Sequence, residues 1–194
     1  MRKTFAILSV VFGVLLLGAV QTAANPIAWP PGAIALTSDA AGMNYIISDP
    51  QGTVKVYVFL TQSAVNEGAA GCSFSAPKPG CFNAEYMGET HYFTLTIGDS
   101  QTGMAIALGS CVSQPQLLAR ITYNVLGPSQ GCCIYRVRPH PEMASGHVEI
   151  VRCNDQVVYG DPGYLIINPD WNNCEGVVPA ESSTWGKVKS LYAQ

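Results

Sequence analysis

Short runs of alternating apolar and polar residues recur between positions 33 and 168 of the chain. The clearest run is 53–61, in which Val54, Val56, Val58 and Leu60 occupy alternate positions. Because successive side chains of a strand point to opposite faces of a sheet, this pattern predicts a strand with one buried face. Comparable runs, rich in β-branched and aromatic residues, lie at 33–37, 44–48, 92–98, 103–109, 117–126, 133–138, 147–153, 156–160 and 164–168.

Turn-forming segments separate these runs, among them "DPQG", "GDSQTG", "GPSQG" and "GDPG". Their Gly, Pro and Asp residues favour the backbone dihedrals of tight turns. No helical periodicity precedes the C-terminal segment, so the pattern predicts an all-β fold, an antiparallel β-sandwich of about 8–10 short strands, with a barrel as the alternative. The section 63–89 has no clear pattern and leaves room for a short apolar strand or a helical turn.

The first residues have the layout of a secretory leader. Arg2 and Lys3 precede an apolar run at 5–20, and small residues follow up to Ala24. This layout predicts a signal peptide at 1–24, cleaved after Ala24. A membrane anchor is the alternative, but the run is shorter than the roughly 20 residues that span a bilayer. We therefore expect a secreted protein, extracellular, periplasmic or on the cell surface, with a domain at 25–174, a tail at 175–194 and no membrane span once the leader is removed.

The charge of the chain excludes some partners. Removal of Arg2 and Lys3 leaves 8 basic and 13 acidic side chains, a formal charge of −5. No basic cluster remains, so nucleic acids and anionic membrane surfaces are poor electrostatic matches.

Seven cysteines follow the leader, at 72, 81, 111, 132, 133, 153 and 174. Outside the cytoplasm, thiols at this density are usually paired, and an odd number leaves one over. Neighbouring Cα atoms lie about 3.8 Å apart, whereas a relaxed disulfide needs about 4.4–6.8 Å. Cys132 and Cys133 are therefore not expected to bond each other, and on a strand at most one of them would face the core.

The order of the cysteines predicts three disulfides. Cys72 is expected to bond Cys81, because the two bracket a Pro/Gly-rich loop whose ends can meet. Cys153 is expected to bond Cys174, which follows the run 164–168. The remaining Cys111 would bond Cys132 or Cys133, leaving the other thiol free. Zinc is the alternative, but the chain has no Cys-x2-Cys pair and its histidines, at 91, 140 and 147, do not complete a ligand set. We expect no cofactor and no metal.

The order of the runs carries a resemblance to known domains. "TVKVYVFLTQ", then "LLARITYNVL" leading into "CIYRVRP", resembles the element order of cohesin-like and carbohydrate-binding-module-like β-sandwiches over 53–138. The resemblance implies a secreted β-sandwich and no particular activity.

The C-terminal segment "VVPAESSTWGKVKSLYAQ" resembles tails found in uncharacterised secreted proteins of environmental bacteria, although it ends in Ala-Gln where a basic residue is expected. It predicts an extended linker and a short helix, capped by Ser182 or Ser183. The helix would be either a cap on its own domain or a recognition tag. Its candidate recognition residues are Trp185, Lys187, Lys189, Leu191 and Tyr192.

Catalytic motifs are weak in this chain. His140 and His147 lie near Glu142 and Glu149, which could indicate a metal or acid–base site but is equally typical of a solvated sheet surface. The chain has no Gly-x-Ser-x-Gly elbow, His-Glu-x-x-His or phosphate loop. The segment 168–176 offers oxygen ligands for calcium but lacks the glycine and distal glutamate of an EF-hand loop, so a turn closed by Cys174 is favoured.

A binding module is the function class that these observations favour. Sugar rings stack on exposed aromatic side chains, and the candidates are Trp29, Tyr86 and Trp171, with Tyr92 and Tyr159 as further possibilities. The alternative is that these rings are half-buried in the sheets. We expect a secreted or envelope-associated, non-catalytic protein that binds a glycan or a protein partner. The alternatives are a structural or adhesive protein that self-associates and a secreted hydrolase with an unrecognised site.

Overall fold

The computed structural model describes residues 32–49, 51–169 and Cys174. The leader, Trp29, Trp171, the possible calcium ligands at 170–173 and the tail lie outside the described residues. The elements in chain order are β1 (Ile34–Thr37), β2 (Ile46–Ile47), β3 (Gly52–Leu60), the short helix α1 (Gln62–Val65), β4 (Ala69–Phe74), β5 (Ala84–His91), β6 (Leu95–Asp99), β7 (Gly103–Val112), β8 (Gln116–Val125), β9 (Cys133–Arg136), β10 (Val148–Val151), β11 (Val157–Gly160) and β12 (Tyr164–Ile167).

These strands form a mostly antiparallel β-sandwich, which confirms the predicted fold class. One layer is a four-stranded sheet in the order β1-β3-β8-β5, and the other is a five-stranded sheet in the order β11-β10-β4-β7-β6. A three-stranded sheet, β2-β12-β9, contains the parallel pair β2–β12. It connects both layers: Gly163 N–H donates to Ile34 O in β1 at 2.9 Å, and Ser75 and Arg138 exchange backbone hydrogen bonds of 2.8 and 2.7 Å just beyond β4 and β9.

The core lies between the sheets, as the alternation in β3 predicted. Val54, Val56, Val58 and Leu60 are all buried, each at most 4% exposed. Each run identified from alternation contains a strand. The section 63–89, in which a short apolar strand or a helical turn was expected, contains most of α1, all of β4 and most of β5.

A chain of hydrogen bonds crosses the core from sheet to sheet. Gln101 Nε2 donates to Tyr123 Oη at 3.2 Å, the hydroxyls of Tyr123 and Tyr135 lie 2.7 Å apart, and Tyr135 Oη donates to Ala76 O at 2.6 Å. Because the hydroxyl hydrogen of Tyr135 is donated to Ala76 O, the Tyr123 hydroxyl must be the donor in the bond between the two tyrosines. Burial raises the pKa of Tyr123 to about 12 and that of Tyr135 well above its ordinary value. Both phenols are therefore neutral at physiological pH, and their hydrogen bonds are retained.

The predicted cysteine pairing was wrong in each bond. The structure contains the disulfides Cys81–Cys133, Cys111–Cys153 and Cys132–Cys174, with Cys72 as the free thiol. The expectation that Cys132 and Cys133 do not bond each other is confirmed, since each bonds a distant residue, and only Cys133, at 2% exposed, is buried in the core.

Position in the sheets explains the error. Cys72 lies on the central strand β4 and faces the core, where Ile106 and Ile150 are its register partners. Cys81 follows in the β4–β5 connection, which brings it to the start of β9 and Cys133. Closeness in sequence therefore did not predict which cysteines bond. A residue within a strand can lie far in space from a residue in the connection that follows the strand.

The Cys111–Cys153 disulfide bridges β7 to the segment after β10, across the strand β4 that lies between them. Gly68, just before β4, passes directly beneath it. A Cβ atom at this position would lie 2.6 Å from Cys153 Sγ, and its φ of +80° favours glycine. The disulfide therefore ties together one end of the five-stranded sheet.

Replacing Cys111 and Cys153 together by alanine should lower the free energy of unfolding by about 4 kcal/mol, because the bond closes a long loop in the unfolded chain. Cys72→Ala is the control, because it breaks no disulfide, and it should lower the free energy of unfolding by about 1 kcal/mol. Chemical denaturation measures both values. Peptide mapping without reduction should recover the three bonds above, and a Cys72–Cys81 fragment would contradict the structure.

Tyr135→Phe should lower the free energy of unfolding by about 1–3 kcal/mol, because it leaves the buried Tyr123 hydroxyl without its acceptor. Tyr92→Phe is the matched control, since Tyr92 is 48% exposed. Thermal unfolding followed by circular dichroism makes the comparison. Equal effects of the two substitutions would show that the buried hydrogen bonds contribute little.

Candidate functional site

The outer face of the five-stranded sheet carries an apolar groove. In β4, Cys72 faces the core, so its neighbours Gly71 and Ser73 point outward. Their register partners in β7 are Ala107 and Ala105. Ser73, Ala105 and Ala107 line the floor of the groove, and Gly71 completes this group of small residues on the same face.

Two walls rise beside this floor. Leu95 and Ile97 of β6 form one wall and are 62% and 69% exposed. Glu149 and Val151 of β10 form the other, and Met143 closes one end. We call this set of nine residues the groove.

Backbone packing requires glycine at one position of the floor. A Cβ atom at Gly71 would lie 2.8 Å from Ile106 O, so a larger residue would push β4 away from β7. With glycine, serine and alanine residues below and leucine, isoleucine and valine side chains beside them, the surface is concave and mostly apolar. Its exposed apolar walls make this face a candidate interaction surface.

One charged side chain, Glu149, is found among the described residues that line the groove. Ser73 Oγ donates to Glu149 Oε2 at 3.3 Å, which is a long hydrogen bond. The carboxylate therefore keeps acceptor capacity for an incoming cation. The groove can hold an apolar segment that brings a positive charge to this wall.

The free thiol lies beneath the floor. Cys72 is 3% exposed, and burial raises its pKa to about 12. A thiol with this pKa is protonated at physiological pH and is a poor nucleophile. Its contribution is packing, and its proposed role in a disulfide was wrong.

Of the predicted sugar-stacking aromatic residues, Tyr86, Tyr92 and Tyr159 lie in the described part of the chain. Tyr86 faces the core, with its ring centroid 6.0 Å from that of Tyr123, and burial together with the carboxylates of Glu89 and Asp99 raises its pKa to about 12. Tyr92 and Tyr159 are exposed. The two tryptophan candidates, Trp29 and Trp171, and the tail residues Trp185, Lys187, Lys189, Leu191 and Tyr192 lie outside the described residues.

The histidine and glutamate residues near β10 are spread apart. His147 stacks on Tyr159, with ring centroids 4.8 Å apart, while Glu149 lines the groove. His140 Nδ1 accepts the backbone N–H of Glu142 at 3.2 Å and closes a turn. Within 32–49, 51–169 and Cys174, no three His, Cys, Asp or Glu side chains are grouped so as to hold a metal ion. No helix in the same part of the chain is long and apolar enough to cross a membrane.

A buried carboxylate that the sequence did not reveal links β5 to the β6–β7 turn. The side chain of Glu89 is 5% exposed, lies 2.5 Å from His91 Nε2 and accepts the backbone N–H of Ser100 at 3.0 Å. Asp99 caps the β6–β7 turn: although burial acts to raise its pKa, hydrogen bonds from Thr102 and Gln101 outweigh this and lower it. These contacts are made within the chain and hold β5 to the β6–β7 turn, which is a structural role.

Neither a protein-family model nor a curated protein matches the chain. Among solved structures, it is similar to a cohesin module from a Clostridium perfringens family 33 glycoside hydrolase, at 6% identity over 73% of this chain and 99% of that one, with a TM-score of 0.43. It is similar to a non-cellulosomal cohesin from Archaeoglobus fulgidus, at 16% identity over 70% and 90% of the two chains, with a TM-score of 0.43. It is also similar to BcpA, the major pilin subunit of Bacillus cereus, at 8% identity over 72% and 40%, with a TM-score of 0.39.

Proposed function

We propose that this protein is a secreted, non-catalytic binding module whose groove takes up an apolar segment of another protein. The observation that supports this proposal is the exposed pair Leu95 and Ile97 above a floor of small residues. Burying a side chain of this size contributes about 1.5–3 kcal/mol. A partner that covers both walls would therefore gain most of its affinity from apolar contact.

The chemistry of the lining favours a protein over a glycan. Sugar sites combine an aromatic stacking surface with several converging hydrogen-bonding groups. The groove offers the Ser73 hydroxyl and the Glu149 carboxylate as its polar side chains, and it contains no aromatic ring. We infer that the partner segment is apolar and places a Lys or Arg beside Glu149.

The groove lies on a rigid part of the sheet, which favours tight binding of a partner. Its floor belongs to β4 and β7, which are paired over most of their length, and the Cys111–Cys153 disulfide ties the end of the same sheet. A rigid site loses little conformational entropy when it binds. Three disulfides also support a location outside the cytoplasm.

A peptide library displayed on phage tests this proposal. Selection on the wild-type protein should return apolar peptides that contain Lys or Arg. Ala107→Phe fills the floor and should weaken the selected peptides at least about tenfold, since a buried contact of about 1.4 kcal/mol corresponds to that factor. Glu149→Gln should reduce the preference for a basic residue and leave apolar binding in place.

Thr122→Phe is the matched control for Ala107→Phe. Thr122 is a half-buried residue on the outer face of the other sheet, in the central strand β8, so the same ring is added away from the groove. It should bind the selected peptides like wild type. Peptides that bind Ala107→Phe as well as wild type would contradict the proposal. Binding to an insoluble polysaccharide that Ala107→Phe retains would instead favour a glycan site elsewhere.

A further inference from the structure

Strand β6 is an open sheet edge. It pairs with β7 on one side, and no described strand pairs with its other side. An edge of this kind presents unpaired backbone N–H and C=O groups to solvent, which can accept a further strand. The opposite edge strand of the same sheet, β11, is partly covered, because Gly160 packs closely against Ala33.

The β6 edge lacks the usual protection against pairing. Natural edges carry Lys, Pro or inward-pointing charges that discourage the addition of a strand. The segment 92–102 contains no Lys, Arg or Pro. Its one charged residue is Asp99, whose Oδ1 is occupied by the backbone N–H groups of Gln101 and Thr102, both at 2.8 Å.

Exposed apolar side chains are concentrated in β6 and in the chain segment that leads to it. Met87, Tyr92, Leu95 and Ile97 are 61%, 48%, 62% and 69% exposed, and all four lie within the segment from β5 to β6. A backbone edge that is open for pairing therefore coincides with apolar surface that water solvates poorly.

The sequence of β6 is complementary to itself. Leu95 and Ile97 point to the same outer face, with Thr96 between them. In an antiparallel pair of two copies with a two-fold axis at Thr96, Leu95 of each copy would lie opposite Ile97 of the other. This arrangement gives two apolar cross-strand pairs and one Thr–Thr pair, which are favourable combinations, and it places no like charges opposite each other.

We propose that two copies of this chain associate through antiparallel pairing of their β6 strands, which joins their five-stranded sheets into one. The contact is isologous, as in most homodimers. It is also small, so the dimer should dissociate on dilution. The two grooves would then open side by side on one continuous face, and, if the proposed function holds, the dimer would bind a repeated partner with increased avidity.

Sedimentation velocity of the exported chain over a range of concentrations, without any partner, tests the dimer. Wild type should shift from monomer to dimer as its concentration rises. Ile97→Lys should raise the dissociation constant at least about tenfold, because it places a charge at the paired edge. Val157→Lys is the matched control: Val157 is 52% exposed on β11, and the same charge is added at the opposite edge of the same sheet.

A cross-link at the two-fold axis tests the register. Thr96→Cys should form an interchain disulfide on mild oxidation, since directly opposed residues in an antiparallel pair have Cα atoms about 4.5–5.5 Å apart. Thr94→Cys is the control, because that position would not lie opposite itself. Peptide mapping identifies the bond, and this measurement still decides the question if Ile97→Lys fails to fold.

Three results would overturn the dimer: a wild type that stays monomeric, an Ile97→Lys variant that associates like wild type, or equal cross-linking of Thr96→Cys and Thr94→Cys. Loss of association in both lysine variants would also exclude β6 as the specific contact. Glu149→Gln changes the groove on β10, which β4 and β7 separate from β6, and should associate like wild type, so failure of the groove proposal and failure of the dimer give separate results.

Discussion

The hydrogen-bonded chain from Gln101 through Tyr123 and Tyr135 to Ala76 O is the interaction on which the rest of the structure depends. Tyr123 belongs to the four-stranded sheet, Tyr135 to the three-stranded sheet, and Ala76 follows a strand of the five-stranded sheet. Apolar contact alone is not directional, whereas these bonds require each sheet to sit at a defined position. This series of hydrogen bonds therefore sets the position of the three sheets relative to one another.

That arrangement also determines the pairing of the cysteines. With β9 held against the end of β4, the β4–β5 connection runs past the start of β9, and Cys81 meets Cys133. Cys132 has a φ of 56°, which turns it out of the strand toward Cys174. The two neighbouring cysteines therefore tie the three-stranded sheet to two separate parts of the chain.

The groove and the open edge arise from one feature of the topology, the crossing of the chain from β5 in one layer to β6 in the other. The crossing leaves β6 at the outside of its sheet, next to the small residues of β4 and β7. Leu95 and Ile97 then serve as a wall of the groove and as the face of the free edge. The proposed protein-binding surface and the proposed self-association surface thus share two side chains.

The sequence by itself determined the fold class and most strands, because alternation with a period of two depends only on which face of a strand is buried. It left the region of β4 open between a short strand and a helical turn, since "AAGCSF" lacks the β-branched residues that mark strands and owes its conformation to pairing on both sides. No alternating run marked β5, and its pairing with β8 is what places Tyr86 beside Tyr123 against the core. The disulfide partners and the groove were decided by tertiary structure alone, because both depend on which strands become neighbours and in what register, and nothing local in the chain specifies that.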